Sequence, residues 1–94
     1  MRYSYDEAKR ARILQERGLD LADAERVFEG FYLSRADVKH SGEERRTITV
    51  GMLNDEVVVL VIWTPRDGER RIITMWKANE KERKRYHEQR DRSG

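Results

Sequence analysis

Nine basic side chains, Arg45, Arg46, Arg70, Arg71, Lys77, Lys81, Arg83, Lys84 and Arg85, gather in the second half of the chain, with Trp76 and Tyr86 set among them. Guanidinium groups bind phosphate oxygens two at a time and aromatic faces stack on unpaired bases, so this combination suits single-stranded RNA. Cutting an RNA strand without a metal takes a base for the 2′-hydroxyl, an acid for the 5′-oxygen, and positive charge for the phosphorane between them. Lys, Arg and Tyr can supply all three. The two histidines fit that task poorly, because His40 sits in a polar loop and His87 follows an Arg-rich turn, with nothing to bring them together. The carboxylate pairs Glu43-Glu44 and Asp55-Glu56 would point to opposite faces of a strand and read as turn solvation. No glycine-rich phosphate loop, nucleophile elbow or metal-binding helix motif is present, and no metal or other cofactor is expected. A plainer reading stands beside this one: interspersed Lys, Arg and Glu form solvated helix faces, and Trp76 and Tyr86 pack the last helix on a sheet.

Composition sets the frame for such a site. The chain has 94 residues, an apolar fraction of 37%, one proline and no cysteine. One domain over residues 1–94 is expected, burying somewhat over ~60% of its unfolded surface, so a catalytic site would be a surface cleft. The absence of cysteine excludes a disulfide framework and a thiol nucleophile. No run approaches the ~18 apolar residues of a membrane span, and the start lacks the apolar stretch of a signal peptide, so a cytoplasmic protein is expected. Charge is uneven along the chain: residues 1–12 carry four positive and two negative side chains, residues 13–68 seven and eleven, residues 69–94 nine and five. If the basic ends meet in space they form a cationic face suited to a polyanion.

The elements that must position these groups follow from periodicity and caps. Residues 2–5 suggest a short N-terminal edge strand. Asp6 stands where a helix N-cap should, and Gly18 offers a left-handed stop, which bounds a helix over about 7–17 with a narrow stripe of Ala8, Ala11, Ile13 and Leu14. Leu21, Ala24, Phe28 and Phe31 predict a second helix within 19–31. Residues 32–44 are polar and aperiodic and read as a loop. Three strands follow as an antiparallel meander, over about 46–53, 56–64 and 69–76, joined at Asn54-Asp55 and at Pro65-Arg66-Asp67-Gly68. In the last strand simple alternation sets Ile72, Thr74 and Trp76 against Arg71, Ile73, Met75 and Lys77. Asn79 and Glu82 have capping-box spacing and open a basic helix over about 80–90, whose one large apolar contact is Tyr86.

Several segments together resemble the BrnT family of type II toxin–antitoxin toxins. They are Tyr5-Asp6-Glu7-Ala8-Lys9, Glu16-Arg17-Gly18-Leu19, Ala24-Glu25-Arg26-Val27-Phe28, and Glu44-Arg45-Arg46 ahead of a strand containing Gly51. The most diagnostic stretch is Arg70-Arg71-Ile72-Ile73-Thr74-Met75, then Lys77-Ala78-Asn79, Glu82-Arg83 and Tyr86. The resemblance implies an α+β, RelE-like fold and a ribonuclease that inhibits translation. It also implies a cognate BrnA-like antitoxin as partner, contact with DNA only through that antitoxin, and RNA as substrate, and it leaves the ribosome open as a further partner. Carried over residue by residue, it makes Arg45, Arg71, Lys77 and Tyr86 the catalytic candidates, with Lys77 or Tyr86 in proton transfer. Arg46, Arg70, Trp76, Lys81 and Arg83 are the RNA-binding candidates. Two positions depart from the pattern: Trp76 stands where members usually have arginine, and Arg17 where histidine is common. The first departure keeps a second reading open, a degenerate or non-catalytic module that binds RNA or antitoxin on the same fold.

Overall fold

The computed structural model describes residues 1–39, 42 and 44–93, so the expectations for His40, Ser41 and Glu43 lie outside the described residues. The order is β1 (Arg2–Ser4), α1 (Glu7–Arg17), a 3-10 turn (Leu21–Asp23), α2 (Ala24–Val27), β2 (Tyr32–Ala36), β3 (Thr47–Leu53), β4 (Val57–Arg66), β5 (Glu69–Lys77) and α3 (Glu80–Ser93). The strands form one sheet in the order β1-β5-β4-β3-β2.

Local chemistry accounts for most boundaries. The Asp6 carboxylate accepts from the Lys9 amide at 3.0 Å and starts α1, and Gly18, at φ 68°, ends it by donating its amide to the Leu14 carbonyl. Asn79 and Glu82 bond each other's backbone amides at 2.8 Å, the reciprocal pair expected at the start of α3. The β3–β4 turn has both Asn54 and Asp55 at positive φ, and the β4–β5 turn has Asp67 and Gly68 likewise, so both hairpins twist in the sense their strands require. Pro65 belongs to β4, paired with Arg70, and the turn proper is Asp67-Gly68.

Four expectations are corrected. The sheet is mixed, because β1 pairs in parallel with β5, Arg2 opposite Glu69 and Ser4 opposite Arg71. The polar stretch after Gly30 contains a strand: β2 pairs antiparallel with β3 along its whole length, and its single inward apolar residue, Leu33, was too little to show alternation. The second helix shrinks to the 3-10 turn and the single turn of α2. In β5 the register slips between Ile62 and Trp63 of β4, so that Ile62 pairs with Thr74 and Trp63 with Ile72. This bulge gives Ile73 and Thr74 one partner between them and resets the alternation. Ile72 and Met75 therefore share the face of the first core cluster, and Ile73 that of the second. The last helix also runs to Ser93 rather than stopping near 90.

Two cores result, one on each face. α1, the 3-10 turn and α2 pack Ile13, Leu19, Leu21, Ala24 and Val27 on Val59, Val61, Ile72 and Met75. α3 lies on the other face, where Tyr86 meets Val58, Leu60, Ile62 and Ala78, with Phe31 and Met52 around it. β4 is buried on both faces, which is why its sequence is a continuous apolar run. The tightest contact on the first face is at Gly51, where a Cβ would stand 2.5 Å from Val27 Cγ1 and 3.3 Å from its carbonyl. Gly51→Ala is expected to destabilise the fold by about 1–3 kcal/mol, read as a lowered denaturant midpoint at unchanged slope.

Candidate nucleic-acid interface

The sheet has two ends, and the basic candidates divide between them. Arg71 pairs with Thr64 at the end next to the β4–β5 turn, and on this strand it lies on the face opposite Ile72. The Thr64 hydroxyl donates to the Arg45 carbonyl at 2.7 Å, which brings the chain ahead of β3 alongside. α1 runs beside the edge of β5 that β1 leaves open, and Arg17 fixes it there by donating to the Met75 carbonyl at 2.9 Å and the Thr74 hydroxyl at 3.0 Å. This anchor turns the flank carrying Lys9 and Arg12 toward Arg46 and Arg71.

Electrostatics report the crowding. Burial, and then the charges of Arg12, Arg46 and Arg17, push the Lys9 amine below its ordinary range, against a weaker opposing pull from Asp6. The Asp6 carboxyl is held low chiefly by the Lys9 amide, with Arg71 adding to it. Lys9, Arg12, Arg17, Arg46 and Arg71 thus form one cationic group from three separate parts of the chain. Such a patch has the charge and the fork geometry to hold consecutive phosphates. Trp76 lies on the same face as Arg71, opposite Leu60, and is 37% exposed, so its ring is available for stacking.

The other candidates stand elsewhere. Tyr86 is 2% exposed, and its hydroxyl donates to the Phe31 carbonyl at 2.9 Å. Burial pushes the phenol above its ordinary value, which keeps it a committed donor. It lies by Met52, which pairs with Val58; Thr64, opposite Arg71, is six residues further along β4, on the order of 20 Å. Lys77 pairs with Val59 and lines a hollow with Leu14, Leu19, Asp20 and Glu56 on the α1 face, at the same far end. Arg70 points to the opposite face from Arg71 and sits 3.8 Å over the Phe28 ring and 5.0 Å over that of Trp63, with one nitrogen donating to the Tyr3 hydroxyl at 2.9 Å. That is a packing role, in which the cation clamps β1 and the segment after α2 to the sheet. Lys81 and Arg83 are exposed on α3, away from the cluster. Of the predicted catalytic four, only Arg45 and Arg71 come together.

Lys9, Arg12 and Arg17 were missed because cations on a helix that buries only Ile13 read as solvated. The one available signal was spacing, since Lys9 and Arg12 are three apart and share a flank. Arg10, between them in sequence, turns away to hold Asp20 through two bonds of 2.7 and 3.1 Å, joining α1 to the 3-10 turn.

Comparison with known proteins adds two findings. The family described as "Ribonuclease toxin, BrnT, of type II toxin-antitoxin system" matches residues 5–82. The crystal structure of the Brucella abortus ribonuclease toxin BrnT is similar, with a TM-score of 0.64 and 25% sequence identity, over 85% of this chain and 99% of that one. No curated protein matches the sequence.

Proposed function

The chain belongs to the BrnT family of type II toxin–antitoxin ribonuclease toxins, and on that premise we propose that it cleaves RNA by metal-independent attack of the 2′-hydroxyl at the end of the sheet that carries Arg71. The observation behind this reading is the convergence of Lys9, Arg12, Arg17, Arg46 and Arg71 from α1, the approach to β3, and β5. Preorganised guanidiniums stabilise the extra charge of a phosphorane, and they supply it without a metal. Arg45, exposed at the rim, extends the phosphate contacts, and Trp76 stacks a base where a further arginine would pair a phosphate. Cleavage of messenger RNA is the route by which such a protein inhibits translation, with or without the ribosome as a platform.

A type II toxin implies an antitoxin partner. A cationic face of this kind is masked by an acidic or amphipathic segment laid across it, so a small BrnA-like neighbour should copurify, and any contact with DNA belongs to that partner.

The test is incubation of purified protein with a defined single-stranded RNA in excess EDTA, followed by analysis of the fragment ends. Fragments with 2′,3′-cyclic phosphate ends are expected. RNA binding should weaken steeply between 50 and 200 mM salt, with roughly 0.7 counterions released per phosphate contacted. The exposed Trp76 favours a second reading, a module that binds RNA without turnover. That reading predicts the same salt dependence with intact RNA, both in buffer and in a translating extract.

A further inference from the structure

We propose that Lys9 is the proton acceptor for the RNA 2′-hydroxyl, an assignment that rests on the ribonuclease reading above. The two groups that sequence offered for proton transfer are at the wrong end of the sheet. Tyr86 is sealed under α3 with its hydroxyl on the Phe31 carbonyl, and Lys77 faces the hollow beside α1. At the Arg71 end the described cations are Lys9 and the arginines around it. Arginine keeps its proton throughout the working pH range, so these side chains can hold a phosphate and its transition state but cannot take a proton. Lys9 is the one member of this group, among the described residues, that can be neutral.

Its placement favours that state. Lys9 lies in the first turn of α1, where the helix dipole opposes a positive charge. Arg12 is beside it on the same flank, and Arg17, tied to the Met75 carbonyl, keeps that flank against β5. Arg46 faces it from the approach to β3, while Asp6, three residues earlier, is drawn toward Arg71 on β5. Burial and these neighbours lower the amine's pKa, and Asp6 alone works against them.

The step balances without a cofactor. The neutral Lys9 Nζ takes the 2′-hydroxyl proton as the 2′-oxygen bonds to phosphorus, with Arg46 and Arg71 on the phosphoryl oxygens. The bond from phosphorus to the 5′-oxygen then breaks, and the leaving oxygen takes a proton from water. The hydroxide so formed recovers the proton from the Lys9 ammonium, which returns the amine and leaves a 2′,3′-cyclic phosphate and a 5′-hydroxyl.

The test compares wild type, Lys9→Arg and Lys9→Gln on one single-stranded RNA, measuring binding and cleavage separately across pH. Lys9→Arg keeps the charge and should bind RNA within about twofold of wild type, yet cleave on the order of 10²-fold or more slowly. Wild-type cleavage should rise with pH as the amine deprotonates, and this rise should be absent from the residual activity of Lys9→Arg. Stability gives a second readout. With the pKa lowered in the folded state, the ammonium is penalised there, fully so below the folded pKa and less as pH rises through the unfolded value. Lys9→Gln should therefore raise Tm at neutral pH. If Lys9→Arg cleaves within about threefold of wild type with the same pH profile, Lys9 is not the acceptor while the ribonuclease reading survives. Wild-type protein that leaves RNA intact in buffer and in a translating extract overturns both.

Discussion

Arg71→Ala is expected to slow RNA cleavage by on the order of 10²- to 10³-fold while leaving the protein folded, the loss typical of removing one preorganised donor from a developing oxyanion. Arg71 reaches the cationic group from β5, its charge felt by Asp6, and its strand partner Thr64 is tied to the Arg45 carbonyl. Truncating it opens no core, since the buried residues of this part of β5 are Ile72 and Met75. Arg71→Lys should recover only part of the rate, because an ammonium keeps the charge and loses the two-pronged fit to phosphate. The adjacent arginine is the control. Arg70 packs on Phe28 and Trp63 on the opposite face, so Arg70→Ala should lower Tm and spare the cleavage rate of the folded fraction. Measured together, cleavage in EDTA and thermal melting should dissociate two neighbours in sequence. Equal cleavage losses from both variants, at equal stability, would place the chemistry elsewhere.

Tyr86→Ala is expected to cost about 3–5 kcal/mol, the range for deleting a buried aromatic side chain. Tyr86 is the one large side chain by which α3 enters the second core, against Val58, Leu60 and Ile62. In a domain of this size such a loss lowers Tm by roughly 12 °C or more. Tyr86→Phe removes only the bond to the Phe31 carbonyl, should cost about 1 kcal/mol, and should leave cleavage unchanged. A stable but inactive Tyr86→Phe would instead make the hydroxyl part of the reaction. Denaturant unfolding beside single-turnover cleavage separates the two outcomes.

What the sequence determined by itself was local. Asp6 and Gly18 bounded α1, Asn79 and Glu82 opened α3, and Asn54-Asp55 and Asp67-Gly68 turned the hairpins, because caps and primed turns act on backbone groups within a few residues. The unbroken apolar run of β4 likewise announced a strand buried on both faces. The ordered family segments also carried the ribonuclease toxin identity. Strand β2 stayed hidden because an edge strand with one buried contact has no alternation to show, and the parallel pairing of β1 joins residues 67 positions apart. The bulge at Ile73 and Thr74 defeated the alternation of β5, since a register slip depends on the partner strand and not on the strand's own sequence. The site itself was a tertiary decision. The bond from Arg17 to the Met75 carbonyl spans 58 positions, and it turns Lys9 and Arg12 from ordinary helix cations into neighbours of Arg46 and Arg71. Composition supplied the charge, and only packing α1 along the open edge of β5 could gather it.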